Sequence, residues 1–315
     1  MKILVTGGAG FIGANLCRAL ADRHDVIVLD DLSTGRLENL TGLDVDVRIG
    51  SVDDTEQVER ACRGVGTIVH LAAVPSVPRS IEAPRRSHDI NVTGTVSVLD
   101  VARETGAHVI VASSSSVYGR DPVLPKTEDL VCRPASPYAA SKLAAESYTA
   151  AYQSSFGLES IAFRFFNVFG PLQSPDHDYA AVIPRFASAA LRGEPLTIHG
   201  DGTQTRDFTF VGTVVQVLAA AVSQRTTNET PVNLAFGTST SLNDLVRIFE
   251  ETLGRSLEMR HQPTRRGDVR HSQACPATLR SLFPDIHPVP LRIGLQRTVS
   301  WLESKTTALD QEVPA

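Results

Sequence analysis

Tyr138 and Lys142 stand four residues apart at the start of a stretch that reads as one long helix, Pro137–Phe156. That spacing is one helical turn, so a phenol and an ammonium share a face. A free tyrosine titrates near pH ~10, and a cation beside it favours the phenolate. Such a phenolate is a usable base toward a substrate hydroxyl near neutral pH. Pro134 precedes the helix and Pro137 opens it, and together they fix its entry. Ser113-Ser114-Ser115-Ser116 follows a predicted strand, where a hydroxyl can orient or relay the moving proton. Alone, a serine run reads as a solvated turn, and a Tyr/Lys pair as an exposed helical pair. Their succession behind a glycine loop is hard to produce by chance.

That loop is Gly7-Gly8-Ala9-Gly10-Phe11-Ile12-Gly13, between a first strand and a first helix. It fits two fingerprints, Gly8-x-Gly10-x-x-Gly13 and Gly7-x-x-Gly10-x-x-Gly13, which share one physics. Glycines allow the tight turn and let backbone N–H groups approach a pyrophosphate, and the helix N-terminus adds positive potential. Asp30 ends the second predicted strand, twenty residues past Gly10. A carboxylate there bonds the ribose hydroxyls and repels a 2′-phosphate, which favours NAD over NADP. Asp31 strengthens that preference and Arg36 weakens it. His70-Leu71-Ala72-Ala73 ends a fourth strand in small residues that suit the wall of a cofactor crevice.

The elements that must position these groups alternate. Strands are predicted at Lys2–Thr6, Asp25–Asp30, Val45–Ile49, Thr67–Leu71, Ala107–Ala112 and Ser160–Phe165. Helices are predicted at Phe11–Ala21, Thr55–Cys62, Ser87–Glu104 and Pro137–Phe156. Apolar strands alternating with helices give an α/β, Rossmann-type, doubly wound parallel sheet. From about residue 170 the pattern loosens into a smaller α/β lobe rich in Pro and Gly, with helices at Val182–Leu191, Thr213–Ser223, Leu242–Thr252 and Leu291–Leu302. The expected organisation is a cofactor domain over 1–168, a partly interleaved substrate lobe over 169–304, and a flexible tail over 305–315. Of the 315 residues, 42% are hydrophobic and 21% charged, an ordinary globular composition. A net charge of -5 disfavours nucleic acid. No apolar run reaches a membrane span, and no signal peptide is legible. Cys17, Cys62, Cys132 and Cys275 are scattered, which argues against a metal site or disulfide framework and fits a cytoplasmic protein.

Taken together, TGGAGFIG, HLAA, SSSSVYG, SPYAASK, RFFNVFGP, DGTQTRDFTFV and RRGDVRHS resemble the extended short-chain dehydrogenase/reductase family, and within it the nucleotide-sugar epimerases. The resemblance runs from Thr6 to about Trp301. It implies Tyr138 as base, Lys142 on the nicotinamide ribose and Ser114 as third catalytic hydroxyl. Asn91, Leu71, Ala72, Ala73 and Phe165 would lie along the NAD with the glycine loop. Many relatives carry Gly-Asp after the third strand to contact the adenine; here the match is Gly50-Ser51, so Ser51 takes that place. Asn167, Arg206 and Arg265 resemble the residues that hold a sugar diphosphate, Asp268 the one that bonds the nucleotide ribose. Arginine suits that task because it meets phosphate oxygens bidentately.

The family includes epimerases, dehydratases, decarboxylases and reductases. Dehydratases carry an Asp-Glu pair beside the catalytic hydroxyl, where this chain has Ser115 and Ser116. The resemblance therefore implies 4-epimerisation of a UDP-sugar through a transient 4-keto sugar. A small residue at Ser272 admits an N-acetyl group, and the segments around Ser76 and around Ala181-Val182 resemble enzymes acting on UDP-N-acetylhexosamines. The expected pair is UDP-GlcNAc/UDP-GalNAc, with UDP-Glc/UDP-Gal also accommodated. A UDP-glucuronate epimerase, with Arg79 or Arg185 meeting the carboxylate, stays open, as does a one-way dehydratase or reductase. A non-catalytic nucleotide sensor predicts a broken Tyr/Lys pair. The helices near Ser87–Glu104 and Pro137–Phe156 correspond to the family's dimer bundle, which implies a homodimer.

Overall fold

Strand burial alternates between two cores. On β1 (Lys2–Thr6), Ile3 and Val5 join one apolar cluster and Leu4 the other, all fully buried. A strand covered on both faces needs helices on both sides, and the chain supplies them. After β1 come α1 (Phe11–Leu20), β2 (Asp25–Asp30), β3 (Val45–Ile49), α2 (Thr55–Ala61), β4 (Thr67–His70), α3 (Val77–Glu82), α4 (Pro84–His88), α5 (Gly94–Thr105), β5 (His108–Ser114), α6 (Pro137–Phe156) and β6 (Ser160–Phe165). The structure is a computed structural model that describes residues 1–175, 180–264 and 269–311, with side chains to residue 305.

The second part of the chain adds β7 (Val168–Phe169), α7 (Val182–Leu191), β8 (Leu196–His199), β9 (Thr205–Arg206), β10 (Thr209–Phe210), α8 (Val211–Gln224), β11 (Val232–Leu234), β12 (Thr240–Ser241), α9 (Leu242–Leu253), β13 (Met259–Gln262), α10 (Ala277–Leu282) and α11 (Leu291–Gln311). The main sheet has seven strands in the order β11-β6-β5-β4-β1-β2-β3, all parallel. The order reverses between β1 and β4. In such sheets the ligand crevice lies beyond the carboxyl ends of the strands at that switch. β11 falls inside residues 169–304, so that stretch supplies a strand of the main sheet as well as the elements of the lobe. The pairs β7–β10, β9–β12 and β8–β13 belong to the lobe.

Local chemistry fixes the elements that carry the site. Ser136 caps α6, its Oγ accepting the Ala139 N–H at 3.1 Å, and Pro137 follows at the first turn. Gly157 ends the helix in the left-handed region at φ 67. β5 extends two residues past the predicted Ala112, so Ser113 and Ser114 lie on the strand itself, and Ser115–Tyr118 forms a 3-10 turn.

Several segments depart from expectation, the unpredicted helix α10 among them. The helix predicted over Ser87–Glu104 is interrupted by a wide π turn at Asp89–Thr93. There Asn91 is drawn off to the loop after β4, accepting the Val74 N–H at 2.7 Å. The short helix α3 was missed; its signal was Ser76 as N-cap with Pro78 in the first turn. At the C-terminus, α11 continues to Gln311, beyond the predicted Leu302, where a frayed tail was expected. Buried Leu295, Val299 and Leu302 anchor this helix, and extending it costs little once its first turns are formed. No helix among the described residues is long and apolar enough to cross a membrane.

Candidate active site

A cavity of about 780 Å³ opens at the switch point. Gly7, Gly10, Phe11, Ile12 and Gly13 form one wall of it. The glycines are required there by space. A Cβ on Gly13 would sit 2.2 Å from Gly7 O, and one on Gly7 would sit 2.8 Å from Ala72 N at a backbone φ of +70. Gly8 packs instead against Val28, so the register that faces the cavity is Gly7, Gly10, Gly13. The N-cap of α1 is Gly10, which has no side chain to satisfy the first helical N–H groups. Those donors, together with the helix dipole, suit a pyrophosphate.

Asp30 and Asp31 reach the same cavity from the end of β2. Asp30 is buried and fixed: Oδ2 accepts the Ala9 N–H and Oδ1 the Leu32 N–H, each at 2.9 Å. Burial pushes its carboxyl above the usual range, and these two N–H bonds oppose that. A carboxylate so held keeps lone pairs for ribose hydroxyls. Arg36 does not line the cavity. Ser51 does, but its N–H already donates to Gln57 Oε1 at 2.9 Å. Arg86, which sequence reasoning passed over, lines this end too and bridges Asp53 at 2.9 Å and Asp31 at 3.5 Å. Arg79, Ala83, Arg86 and Ile90 all line the cavity, but from α3, the α3–α4 junction, α4 and the π turn, so no single helical period pointed to Arg86.

Leu71, Ala72 and Ala73 line the cavity beside the glycine loop, against which Ala72 packs. Their turn is held from behind by a buried polar chain. Thr6 Oγ1 accepts the Ala72 N–H at 3.2 Å and is bonded to His70 Nδ1 at 2.8 Å; His70 Nε2 is bonded to Thr95 Oγ1 at 3.0 Å. Burial, and secondarily the charge of Lys142, lower the His70 pKa to about 3, so the imidazole is neutral. Asn91 was expected along the cofactor. It does not line the cavity and belongs to this supporting layer, its amide donating to Ser141 Oγ at 2.9 Å.

Ser114, Tyr138, Lys142 and Phe165 meet the glycine loop across the cavity. Burial raises the Tyr138 pKa and a hydrogen bond with Ser114 lowers it. Lys142 Nζ donates to Ala112 O at 2.8 Å. Burial lowers its pKa to about 8, opposed by Glu146. The Lys142 ammonium is turned to the β5 carbonyl, and burial shifts the Tyr138 phenol toward its protonated form.

The glycine cradle, the fixed carboxylate and the tyrosine–lysine face fit a bound nicotinamide dinucleotide, and comparison with known proteins agrees. The model of the NAD dependent epimerase/dehydratase family matches residues 3–235. This chain belongs to that family. It is 37% identical to the UDP-glucose 4-epimerase of Mycolicibacterium smegmatis, over 97% of this chain and 100% of that one. Among solved structures it resembles the UDP-N-acetylglucosamine 4-epimerase of Methanobrevibacter ruminantium in complex with UDP-N-acetylmuramic acid (TM-score 0.92, 34% identity, 96% and 98% of the two chains). It also resembles the Thermus thermophilus UDP-glucose 4-epimerase in complex with NAD (TM-score 0.87, 34% identity, 96% and 99%). The larger cavity brings together the glycine turn, Asp30 and Tyr138, which suit the NAD of this family.

A second cavity, of about 260 Å³, adjoins the first. Asn167 and Val168 line both. Ala181, Val182, Arg185 and Arg206 line the second. Ser76, Ser115 and Ser272 line neither. Ser76 caps α3, accepting the Arg79 N–H at 3.3 Å, and Ser115 opens the 3-10 turn. Ser272 is tied through its N–H to Thr205 O at 3.2 Å, next to Arg206. Arg265 and Asp268 lie outside the described residues.

Proposed function

We propose that the protein interconverts UDP-N-acetylglucosamine and UDP-N-acetylgalactosamine by NAD-dependent 4-epimerisation, and that UDP-glucose and UDP-galactose are also accepted. The observation that carries this reading is the convergence of Ser114, Tyr138 and Lys142 on the cavity that also holds the glycine cradle, with Asn167 joining it to the cavity of Arg206. Tyr138 takes the proton of the sugar 4-hydroxyl and returns it, with Ser114 orienting the hydroxyl between them. Bound NAD supplies the hydride acceptor and donor, and its cationic ring favours the phenolate that burial alone disfavours. Arg206, reaching its cavity from β9, holds the diphosphate while the hexose is left free to turn.

The position of the carboxylates supports epimerisation over dehydration. Those lining the larger cavity, Asp30, Asp31 and Glu82, come from the β2 end and from α3. None comes from the strand and helix that carry Ser114 and Tyr138. The small side chain of Ala181, which lines the second cavity, supports room for an N-acetyl group. Arg79 in one cavity and Arg185 in the other favour UDP-glucuronate as the second reading. Tyr148 and Phe156, exposed on α6, support a homodimer through that helix. The test is incubation of the purified protein with UDP-GlcNAc, UDP-Glc and UDP-GlcA, with products resolved by chromatography and NMR. The expected product is UDP-GalNAc without net NADH. A stable keto or dehydrated sugar, or turnover of UDP-GlcA alone, would overturn the reading.

A further inference from the structure

Glu146 lies one turn beyond Lys142 on α6 and is buried at 3% exposure. Arg164 on β6 meets it twice, Nε to Oε1 at 3.0 Å and Nη2 to Oε2 at 2.9 Å. Ser113 Oγ also donates to Oε1. Arg164 in turn donates to Tyr118 Oη at 2.8 Å, to Glu128 O at 3.2 Å and to Cys132 Sγ at 3.3 Å; Tyr118 donates to Asn233 Oδ1 at 2.7 Å. Ser113, Glu146 and Arg164 each adjoin a residue of the cavity. Ser113 precedes Ser114, Glu146 follows Lys142 by one turn, and Arg164 precedes Phe165.

A buried ion pair is a poor device for stability alone, because apolar residues of like volume usually serve as well. Its position therefore points to another use. We propose that Glu146 is a positioning residue for the reaction: clamped by Arg164, it fixes the Ser114-bearing end of β5 and places its Arg164-bound carboxyl group one helical turn behind Lys142. The groups facing Lys142 are Tyr138 and Glu146 from α6, the Ala112 carbonyl from β5, and the neutral His70 from β4. Glu146 is the one anion that acts on the ammonium among these. Without it, burial is unopposed and Lys142 loses its proton at lower pH.

The inference about turnover rests on the proposed reaction, so the experiment first reads Lys142 itself. The chain has four lysines, Lys2, Lys126, Lys142 and Lys305. Lysine labelled at 13Cε therefore gives four signals, and Lys142→Arg assigns the one required. In the NAD-bound protein, Glu146→Gln should lower the Lys142 midpoint by about one pH unit, while Glu146→Asp, which keeps the charge, should leave it near the parent value. With substrate, the alkaline limb of the kcat profile should move down with it in Glu146→Gln. At pH ~8, kcat should fall by roughly fivefold with KM within about threefold. If Glu146→Gln does not fold, Glu146→Gln/Arg164→Gln leaves no charge unpaired and carries the same titration. An unmoved Lys142 midpoint, or a loss carried wholly by KM, overturns the proposal. A parent enzyme that titrates as expected but turns over no UDP-sugar would count against the proposed reaction instead.

Discussion

Replacing Gly13 with alanine tests the cofactor cradle at its tightest point. The added Cβ would sit 2.2 Å from Gly7 O and 2.7 Å from Gly8 Cα, both backbone atoms. No side chain can swing away to relieve the clash, so the loop and the first turn of α1 must part by roughly 1 Å. Overpacking of this kind costs about 1–3 kcal/mol of stability. The same displacement moves the helix N-terminal donors off the position of the pyrophosphate. A hydrogen bond to a charged group contributes about 1.5–3 kcal/mol, and each ~1.4 kcal/mol is tenfold in affinity. Loss of one such bond weakens NAD binding about 10- to 100-fold. The assay is the NAD released on denaturing the purified protein, per mole of chain, with calorimetric titration of the stripped protein. Gly8→Ala is a comparison with a different neighbour: its Cβ would meet the Val28 methyls at 2.8 Å and Val5 O at 3.1 Å, away from the cavity wall. Its main effect should be on stability. A Gly13→Ala protein that keeps stoichiometric NAD with parental affinity would refute the reasoning.

Other expectations follow from the same geometry. Tyr138→Phe removes the base and should lower epimerase kcat by on the order of 10²–10⁴ with bound NAD retained; parental turnover in this variant would contradict the assigned base. Asp30→Asn removes the charge beneath the ribose while leaving an oxygen to accept one backbone N–H. NAD affinity should fall about tenfold and the NADP/NAD affinity ratio should rise, read by calorimetry; an unchanged ratio would remove Asp30 from cofactor discrimination. His70 is buried neutral, with a folded pKa lowered from 6.5 to about 3. Its contribution to stability is complete above pH 6.5 and is lost as pH falls toward 3, at up to about 1.4 kcal/mol per pH unit. His70→Gln should flatten the fall of the urea midpoint between pH 6.5 and 5, and a parental slope in the variant would show that another group carries it.

Much of the site was legible before any coordinates. The glycine loop, Asp30 and the Tyr138/Lys142 pair occupy one cavity, as the spacing along the chain implied. The reason is that each depends on a local rule: a turn that only glycine can make, a strand end, and one turn of helix. Where two registers were open, Gly7 or Gly8, the sequence did not choose between them. The choice depended on Val28 lying behind Gly8 and Ala72 in front of Gly7. Asn91 carried the right chemistry, but the π turn directed it to Val74 and Ser141.

By itself, then, the sequence determined the alternation of buried strands and amphipathic helices, the dinucleotide turn and the presence of a base with its neighbouring cation. Period and spacing encode which face is buried, and those are local quantities. The tertiary structure alone decided which polar group each buried polar group meets. Tyr118 finds Asn233 across 115 positions, and Arg164 finds Glu146 between a strand and a helix. It also decided that Lys142 turns to Ala112 O and that Arg86 reaches the mouth of the cavity. Such partners are chosen by sheet order and helix crossing, which bring distant segments together. A hydrogen bond or buried charge is worth little or much according to that partner and to the water it excludes.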